Sequence, residues 1–513
     1  MIRSKLKENA VFIYSLSIIC IIVLWGLLAP EHLGACAESA FSVFVTGFGW
    51  MYLLAVSFFL VFCIWLFFSP YRKLRLGADD SRPEFSNLSW FAMLFSAGMA
   101  IGLIFWGVAE PVSHIVAPPG QVTPASREAI VQAFRLSFFH WGFHAWANYA
   151  LFALAMAYFQ LRKGYPGLVS SIFIPLFGRK IMAGPLGKAI DILAIFATVA
   201  GISTDLGLGT LQINSGLNYL YNVPISMKVQ VAIIVAITIG FMISAVKGLD
   251  KGIKTLSDFN MWLVALLMIG IFMVGPQKEM FLNLFMGSKA YMQNIIFDSF
   301  PFERLRNNSE WMGSWTVFYW AWWIAWTPFV GTFIARISWG RTIGEFLAGV
   351  LIIPTLGSMI WFAEFGTLSM GMPISEMSDA LSSIPTAYFS ILARYPFSGP
   401  LSLLTIVLLV TFFITSADSS TFVLGILSSG GNPNPTTLKK ITWGVVQSLM
   451  ALALLMAGGL EILQTASIVA AFPFAIVMVL SVFSLLKSLR EEKHSLNTDE
   501  TRVLKKSSTK EAM

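Results

Sequence analysis

The chain is predicted to be an all-α polytopic membrane protein with twelve transmembrane helices. Two observations carry this. Of its 513 residues, 56% are hydrophobic and only 12% are charged, about half the charge of a soluble domain. Apolar runs near the ~20 residues that cross a bilayer recur along its whole length. They lie near 11–29, 50–68, 88–110, 138–160, 190–213, 229–246, 258–275, 314–337, 346–368, 400–428, 440–458 and 466–487.

Taken in order, residues 1–10 form a short basic N-terminus and 11–487 a single membrane domain. The first run has no small-residue cleavage site after it and is expected to be retained. The longer connections are 111–137, 276–313 and 369–399. Within the second, 281–298 is apolar on one face and too interrupted to span, so it is expected to lie in the interface. The polar tail 488–513 is expected to lose its structure after the first turn or two.

The basic residues orient the chain. With the N-terminus cytoplasmic, the outer side holds Arg127, Arg135, Lys228, Lys278, Lys289, Arg304, Arg306 and Arg394. All the rest of the 34 Lys and Arg fall inside. The positive-inside rule then puts both termini in the cytoplasm. Topology accounts for the net charge of +7, so no nucleic-acid partner is implied. Cys20, Cys36 and Cys63 show no disulfide or metal spacing.

Two spans carry helix-breaking residues. Span three contains Gly98, Gly102 and Gly107, and span eight contains Pro328 and Gly331. Such interruptions point to discontinuous helices in a transporter. Their offset of five spans predicts two five-helix halves of opposite topology, spans 3–7 and 8–12. Backbone N–H groups freed at the span-three glycines would attract a carboxylate. The same glycines would also serve close helix packing.

Span eight, WTVFYWAWWIAWTPFVGTFIAR, holds Trp315, Trp320, Trp322, Trp323 and Trp326. Clustered indole faces can cage a cation that has no N–H to donate. Each ring contributes about 0.5–1 kcal/mol when exposed and about 2 or more when dry. Span four, HWGFHAWANY, adds Trp146 and Tyr149 on one face. Trp141 joins them only through a local irregularity. His140 and His144 are spaced i, i+4, but no third ligand type clusters near them in sequence. No transition metal is expected, and the two are expected to hydrogen-bond between helices.

Span ten, FFITSADSST, supplies oxygens suited to a hard cation such as sodium, although its hydroxyls could also bond back onto their own helix. Asp205 is an acid inside span five, on one face with Thr198 and Ile202. An intramembrane acid is functional by default, the alternative being a hydrogen bond between helices. No nucleophile elbow, phosphate loop or Cys/His cluster occurs, so no enzyme and no bound cofactor is expected.

With these residues in view, the chain resembles the betaine/carnitine/choline transporter family over about Pro30 to Lys487. The motifs are FSAGMAIGLIFWGVAEP, FFHWGFHAWANY, WTVFYWAWWIAWTPFVGTFIARISWGRT and FFITSADSSTFVLG. Within the family it is most similar to the OpuD-type glycine betaine transporters. The resemblance implies a LeuT-like 5+5 inverted repeat after two extra helices, a homotrimer and a bacterial cytoplasmic membrane.

It further implies an aromatic cage at Trp141, Trp146, Tyr149 and Trp323, with Trp322 and Trp326 on the inward route. The backbone at Gly98, Ala100 and Gly102 would meet the substrate carboxylate. One sodium site is implied at Ser96, Met99, Phe412, Thr415 and Ser416, and another at Thr198 and Phe329. Ile202 stands where the second site has a threonine. Gly102 stands where choline-type members tend to carry Asp, which favours a zwitterion. Asp205 stands where relatives usually have Ser, and it could supply a counter-charge, replace a sodium ligand or bind a proton.

The function implied is sodium-coupled uptake of glycine betaine or a similar osmoprotectant by alternating access. A choline-type cation carrier using Asp205 is the alternative, and a non-transporting osmolyte sensor a third. Basic tails of the family contact anionic lipid. This tail is nearly balanced in charge, so weak tail-based osmosensing is expected.

Overall fold

A computed structural model describes the backbone of residues 9–98, 100–247 and 250–511. Side chains are described for these except 96, 97, 100, 244–255, 257 and 494–511. Among the described residues there is no strand beyond a single bridge between Arg75 and Thr342. Helices meet the demand of a hydrocarbon setting, where every backbone N–H and C=O must be paired within its own segment.

The chain opens with α1 (Ala10–Leu28), α2 (Pro30–Ser42) and α3 (Phe48–Phe68). Next come α4 (Asn87–Gly98), α5 (Ala100–Val116), α6 (Arg127–Trp141) and α7 (Phe143–Ala157). The long α8 (Pro185–Tyr221) is followed by α9 (Met227–Lys247), α10 (Asp250–Val274) and α11 (Gln277–Ser299). The second half contains α12 (Phe318–Arg336), α13 (Ile343–Thr367), α14 (Ile374–Leu381) and α15 (Ile384–Leu392). It ends with α16 (Ser398–Leu427), α17 (Thr437–Gly458) and α18 (Leu460–Glu511).

Local chemistry places the helix ends. Ser126 accepts from the Ala129 N–H at the start of α6, and Thr342 with Glu345 forms a capping box at α13. Pro30 and Pro185 sit in the first turns of α2 and α8, where no N–H is needed. Asn222, at φ 55°, closes α8 in the left-handed region that Asn tolerates.

Seven of the described helices are long and apolar enough to cross a membrane, or eight if one bent pair is a single span. The molecule is therefore a multi-pass membrane protein. Two of the expected spans are missing from this count for local reasons. Span four begins earlier than the hydropathy suggests, at Arg127, and is cut at Gly142 into two 15-residue helices. The tryptophan-rich α12 is long enough, but its ring N–H and O–H groups lower its hydropathy. In span three, α5 is continuous across Gly102 and Gly107, so no break falls there, and Met99, next to Gly98, lies outside the described residues. After it, α5 runs on through Pro111 to Val116, six residues beyond the predicted end.

Span eight differs from expectation. It is continuous across Pro328 and Gly331. Gly331 instead admits α7: a Cβ there would lie 2.5 Å from the Phe152 ring, the close-packing use of a small residue. The segment expected in the interface is most of α11, which turns 111° from α10 at Pro276.

The tail also departs from expectation, since α18 continues to Glu511. It is anchored at Glu492, which meets Arg162 at 2.5 Å and Lys163 at 2.7 Å and accepts from the Tyr158 hydroxyl at 2.6 Å. Burial works against the Arg162 charge. Asp79 and Glu492 more than restore it, leaving its pKa above the usual value.

Packing separates centre from periphery. In α8, 83% of the apolar stretch is buried, against 22% in α1. The centre holds α8 with α12, α16, α17 and α18 around it. Large apolar side chains on α1, α10 and α11, such as Leu24, Trp262 and Phe285, face outward.

Candidate functional site

The break at Gly142 builds the site. Its φ of −96° and ψ of −137° end α6, and α7 starts at the next residue. This is the irregularity Trp141 required to join Trp146 and Tyr149. The carbonyls of the last α6 turn lack intrahelical partners. That of His140 receives the Trp323 indole N–H at 3.0 Å.

Around the break, α7 lies against α12. The Trp141 ring centroid is 4.8 Å from Trp323 and 6.1 Å from Trp322, both edge-to-face. Trp322 and Trp323 stack at 5.0 Å with 16° between planes. Tyr149 stands 6.1 Å from Trp323 and 5.5 Å from Trp146. All of these rings are buried.

One cavity runs between them, lined by Gly98, Gly102, Trp141, Asp205, Trp322, Trp323 and Trp326. The glycines are needed for space. A Cβ on Gly98 would be 2.7 Å from Trp146 Cη2, and one on Gly102 would be 2.7 Å from Trp322 Cη2 and 2.9 Å from Trp141 Cη2. Of the expected substrate residues, Trp146 and Tyr149 are outside this lining, Tyr149 against Trp323 and Trp146 against Tyr149 and Gly98. Ala100 lies outside the residues whose side chains are described.

Hydrogen bonds hold some rings and leave others free. Trp326 Nε1 donates to the Gly201 carbonyl at 2.9 Å, and Trp141 Nε1 to Glu110 Oε2 at 2.8 Å. The N–H groups of Trp146 and Trp322, the Tyr149 hydroxyl and both Asp205 oxygens are buried without a partner. Among the described residues Asp205 thus makes no hydrogen bond between helices.

Glu110 was not anticipated. It is fully buried. Besides Trp141 it accepts from the Tyr319 hydroxyl at 2.6 Å and pairs through Oε1 with His140 Nδ1 at 2.7 Å. His114 Nε2 lies 3.6 Å from Oε1, and His140 Nε2 lies 3.0 Å from Thr316 Oγ1. His144 reaches Ser299 Oγ at 2.8 Å, so both span-four histidines do bond between helices.

Ligand-type atoms of Glu110, His114 and His140 lie within 4.8 Å of one another. The cluster includes His140 but not His144, so the i, i+4 pair of span four gains no third ligand. The carboxylate and the His140 ring are engaged with each other and with Trp141, Tyr319 and Thr316. The signal for Glu110 was present, since an acid within an apolar helix is rarely idle. It was read instead as the end of a span before Pro111.

The expected sodium residues fall in two places. On α16, Thr415 Oγ1 donates to carbonyls of its own helix at Thr411 and Phe412, each at 3.1 Å. The back-bonding alternative is thus realised there, as it is at Ser420 and Thr421. Thr415 Oγ1 also receives the Asn260 amide at 3.2 Å, and the buried Asn260 Oδ1 has no partner. Asn260 was not anticipated. Ser416 is buried beside Thr415; Ser96 lies within α4 with its side chain not described, and Met99 lies outside the described residues. Elsewhere, Thr198 Oγ1 donates to Ala194 at 2.8 Å, and Phe329 meets Trp326 edge-on at 5.8 Å.

A helical membrane domain with an indole-lined cavity at its centre has the character of a carrier for small organic cations or zwitterions. Residues 10–494 match the betaine/carnitine/choline family of transporters, and the chain belongs to that family. It is 50% identical over 501 residues to the glycine betaine transporter OpuD of Bacillus subtilis, covering 96% of each chain. It is 44% identical to a probable glycine betaine transporter of Desulfitobacterium hafniense, covering 95% of this chain and 98% of the relative. It is 41% identical to an ectoine/hydroxyectoine transporter of Virgibacillus pantothenticus, covering 96% and 98%. The protein is a transporter of betaine-type substrates and not an enzyme.

Proposed function

We propose that the protein takes up glycine betaine, or a similar trimethylammonium zwitterion, by sodium-coupled alternating access. The observation that carries this reading is the cavity lined together by Trp141, Trp322, Trp323 and Trp326. A trimethylammonium group offers no N–H, so ring faces in a dry site are its best partners. The carboxylate end would meet the α4–α5 backbone around Gly98, Ala100 and Gly102. Two of the three relatives named above are glycine betaine transporters, which favours betaine over other zwitterions.

The rest of the reading follows the family: twelve spans, a LeuT-like 5+5 repeat, a homotrimer, and both termini on the cytoplasmic side of a bacterial cell membrane. Sodium would sit between α4 and α16 at Ser96, Met99, Phe412, Thr415 and Ser416, where Asn260 adds an unpartnered oxygen. Thr198 and Phe329 would hold a second ion, less well supplied because Ile202 brings no oxygen. Thr415→Ala is expected to raise the sodium concentration for half-maximal uptake about tenfold, roughly 1.4 kcal/mol of lost binding. Sodium titration of uptake measures it.

The deciding experiment is uptake by reconstituted vesicles of glycine betaine, choline, carnitine and ectoine, with and without a sodium gradient. Betaine uptake that ignores sodium defeats the coupling, and no uptake at all would leave the osmolyte-sensor reading. A second reading, a choline-type cation substrate, is favoured by the acid in the cavity lining. Choline outcompeting betaine would establish it. Within either reading, Gly102→Ala forces a methyl against Trp322 and Trp141. It is expected to weaken binding about tenfold, the scale of a modest overpacking cost, measured as substrate Kd.

A further inference from the structure

Asp205 is the single acid in the cavity lining. Its side chain is 1% exposed, neither oxygen has a hydrogen-bond partner, and among the described residues it makes no ion pair. The titratable group that faces it is Tyr149, from α7. Several contacts of other helices with α8 are made through uncharged groups. Examples are Gly201 with Trp326 of α12, Ser203 with the Gln447 carbonyl of α17, Thr204 with Ser467 of α18, and Gly209 with Phe413 of α16.

A carboxylate alone among indoles is costly to keep charged, and a bound proton or an adjacent cation relieves the cost. Sodium is a poor candidate here, because hard cations take several oxygens and the surrounding indoles supply none. The quaternary head that the cage would hold is a better one, since it would enter the cavity that Asp205 lines.

We propose that Asp205 is an anionic subsite for the quaternary ammonium head, and that head and proton exchange there. The inference rests on the cage reading above. When the head enters, the O–H bond of the neutral carboxyl breaks. The proton leaves to solvent on the loading side, and the carboxylate remains as the partner of the head. When the head leaves, a proton returns. For a cationic substrate one positive charge replaces another, whereas for zwitterionic betaine the site becomes one charge more negative. Over a full cycle one proton moves opposite to the substrate, so the coupling ion supplies the driving force for both.

The test uses the full chain in lipid nanodiscs at constant sodium, with glycine betaine and choline as probes, neither of which titrates between pH 6 and 8. Binding is followed by tryptophan fluorescence, and proton release by an indicator dye in weak buffer. The expected result is about one proton released per head bound and a Kd about tenfold weaker for each pH unit lowered, the linkage slope for one proton. Asp205→Asn should bind more weakly, release no proton and show no pH slope. If that variant fails to fold, the wild-type proton count still decides.

A flat pH profile, tighter binding at low pH, or no released proton overturns the proposal. Trp323→Ala separates the two readings. If it binds normally, the cage itself is wrong. If it loses binding while the wild type releases no proton, the exchange alone is wrong.

Discussion

Trp323→Ala is expected to weaken glycine betaine binding about 30-fold or more. Trp323 is the ring on which the cage converges. It stacks on Trp322 at 5.0 Å, meets Trp141 at 4.8 Å and touches Tyr149 at 6.1 Å. Losing it removes one buried cation–π face, worth about 2 kcal/mol, which corresponds to about 30-fold. It also strands the His140 carbonyl, which now receives the Trp323 N–H. Trp323→Phe keeps a ring and should recover part of the loss. Trp262→Ala, on the outward face of α10 at 77% exposure, should leave Kd unchanged. The measurement is Kd from substrate titration at fixed sodium and pH, and an unchanged Kd for Trp323→Ala would sink the cage assignment.

Glu110→Ala is expected to cost about 3–5 kcal/mol of stability, the scale for breaking a buried charged network. Its two oxygens serve Trp141, Tyr319 and His140 at 2.8, 2.6 and 2.7 Å. All three groups are buried and would lose an acceptor, or in the case of His140 a partner. Glu110 does not line the cavity, so any effect on substrate passes through Trp141. Glu110→Gln keeps one acceptor oxygen but presents an NH2 to groups that mostly donate. It should retain the fold and weaken betaine binding about tenfold. Thermal unfolding reads the first effect and Kd the second. Normal affinity in a folded Glu110→Gln protein would show that Trp141 is positioned by packing alone.

Much of the site was legible because it depends on residue type and short spacing. Aromatic residues crowded into α12, glycines in an apolar run and an acid in mid-span are local facts. The need for an irregularity at Trp141 followed from helical geometry, and Gly142 supplies it. Other features were hidden because proline and glycine are ambiguous signals. The apolar run ends at Glu110, just before Pro111, yet α5 continues through both to Val116. Pro328 and Gly331 were read as a break, yet α12 is unbroken there, and Gly331 serves close packing against Phe152.

By itself the sequence determined the class, an all-helical protein of many membrane spans, and the kind of head group its aromatic residues could hold. Hydropathy and side-chain chemistry are properties of each segment and survive without knowing its neighbours. Only the tertiary structure decided which groups have partners. It joins Trp141 to Glu110, 31 positions away, and Asn260 to Thr415 across 155, while Asp205 is left with none. Such pairing depends on which helix faces meet, and a buried polar group takes its charge and its role from the partner it finds or lacks.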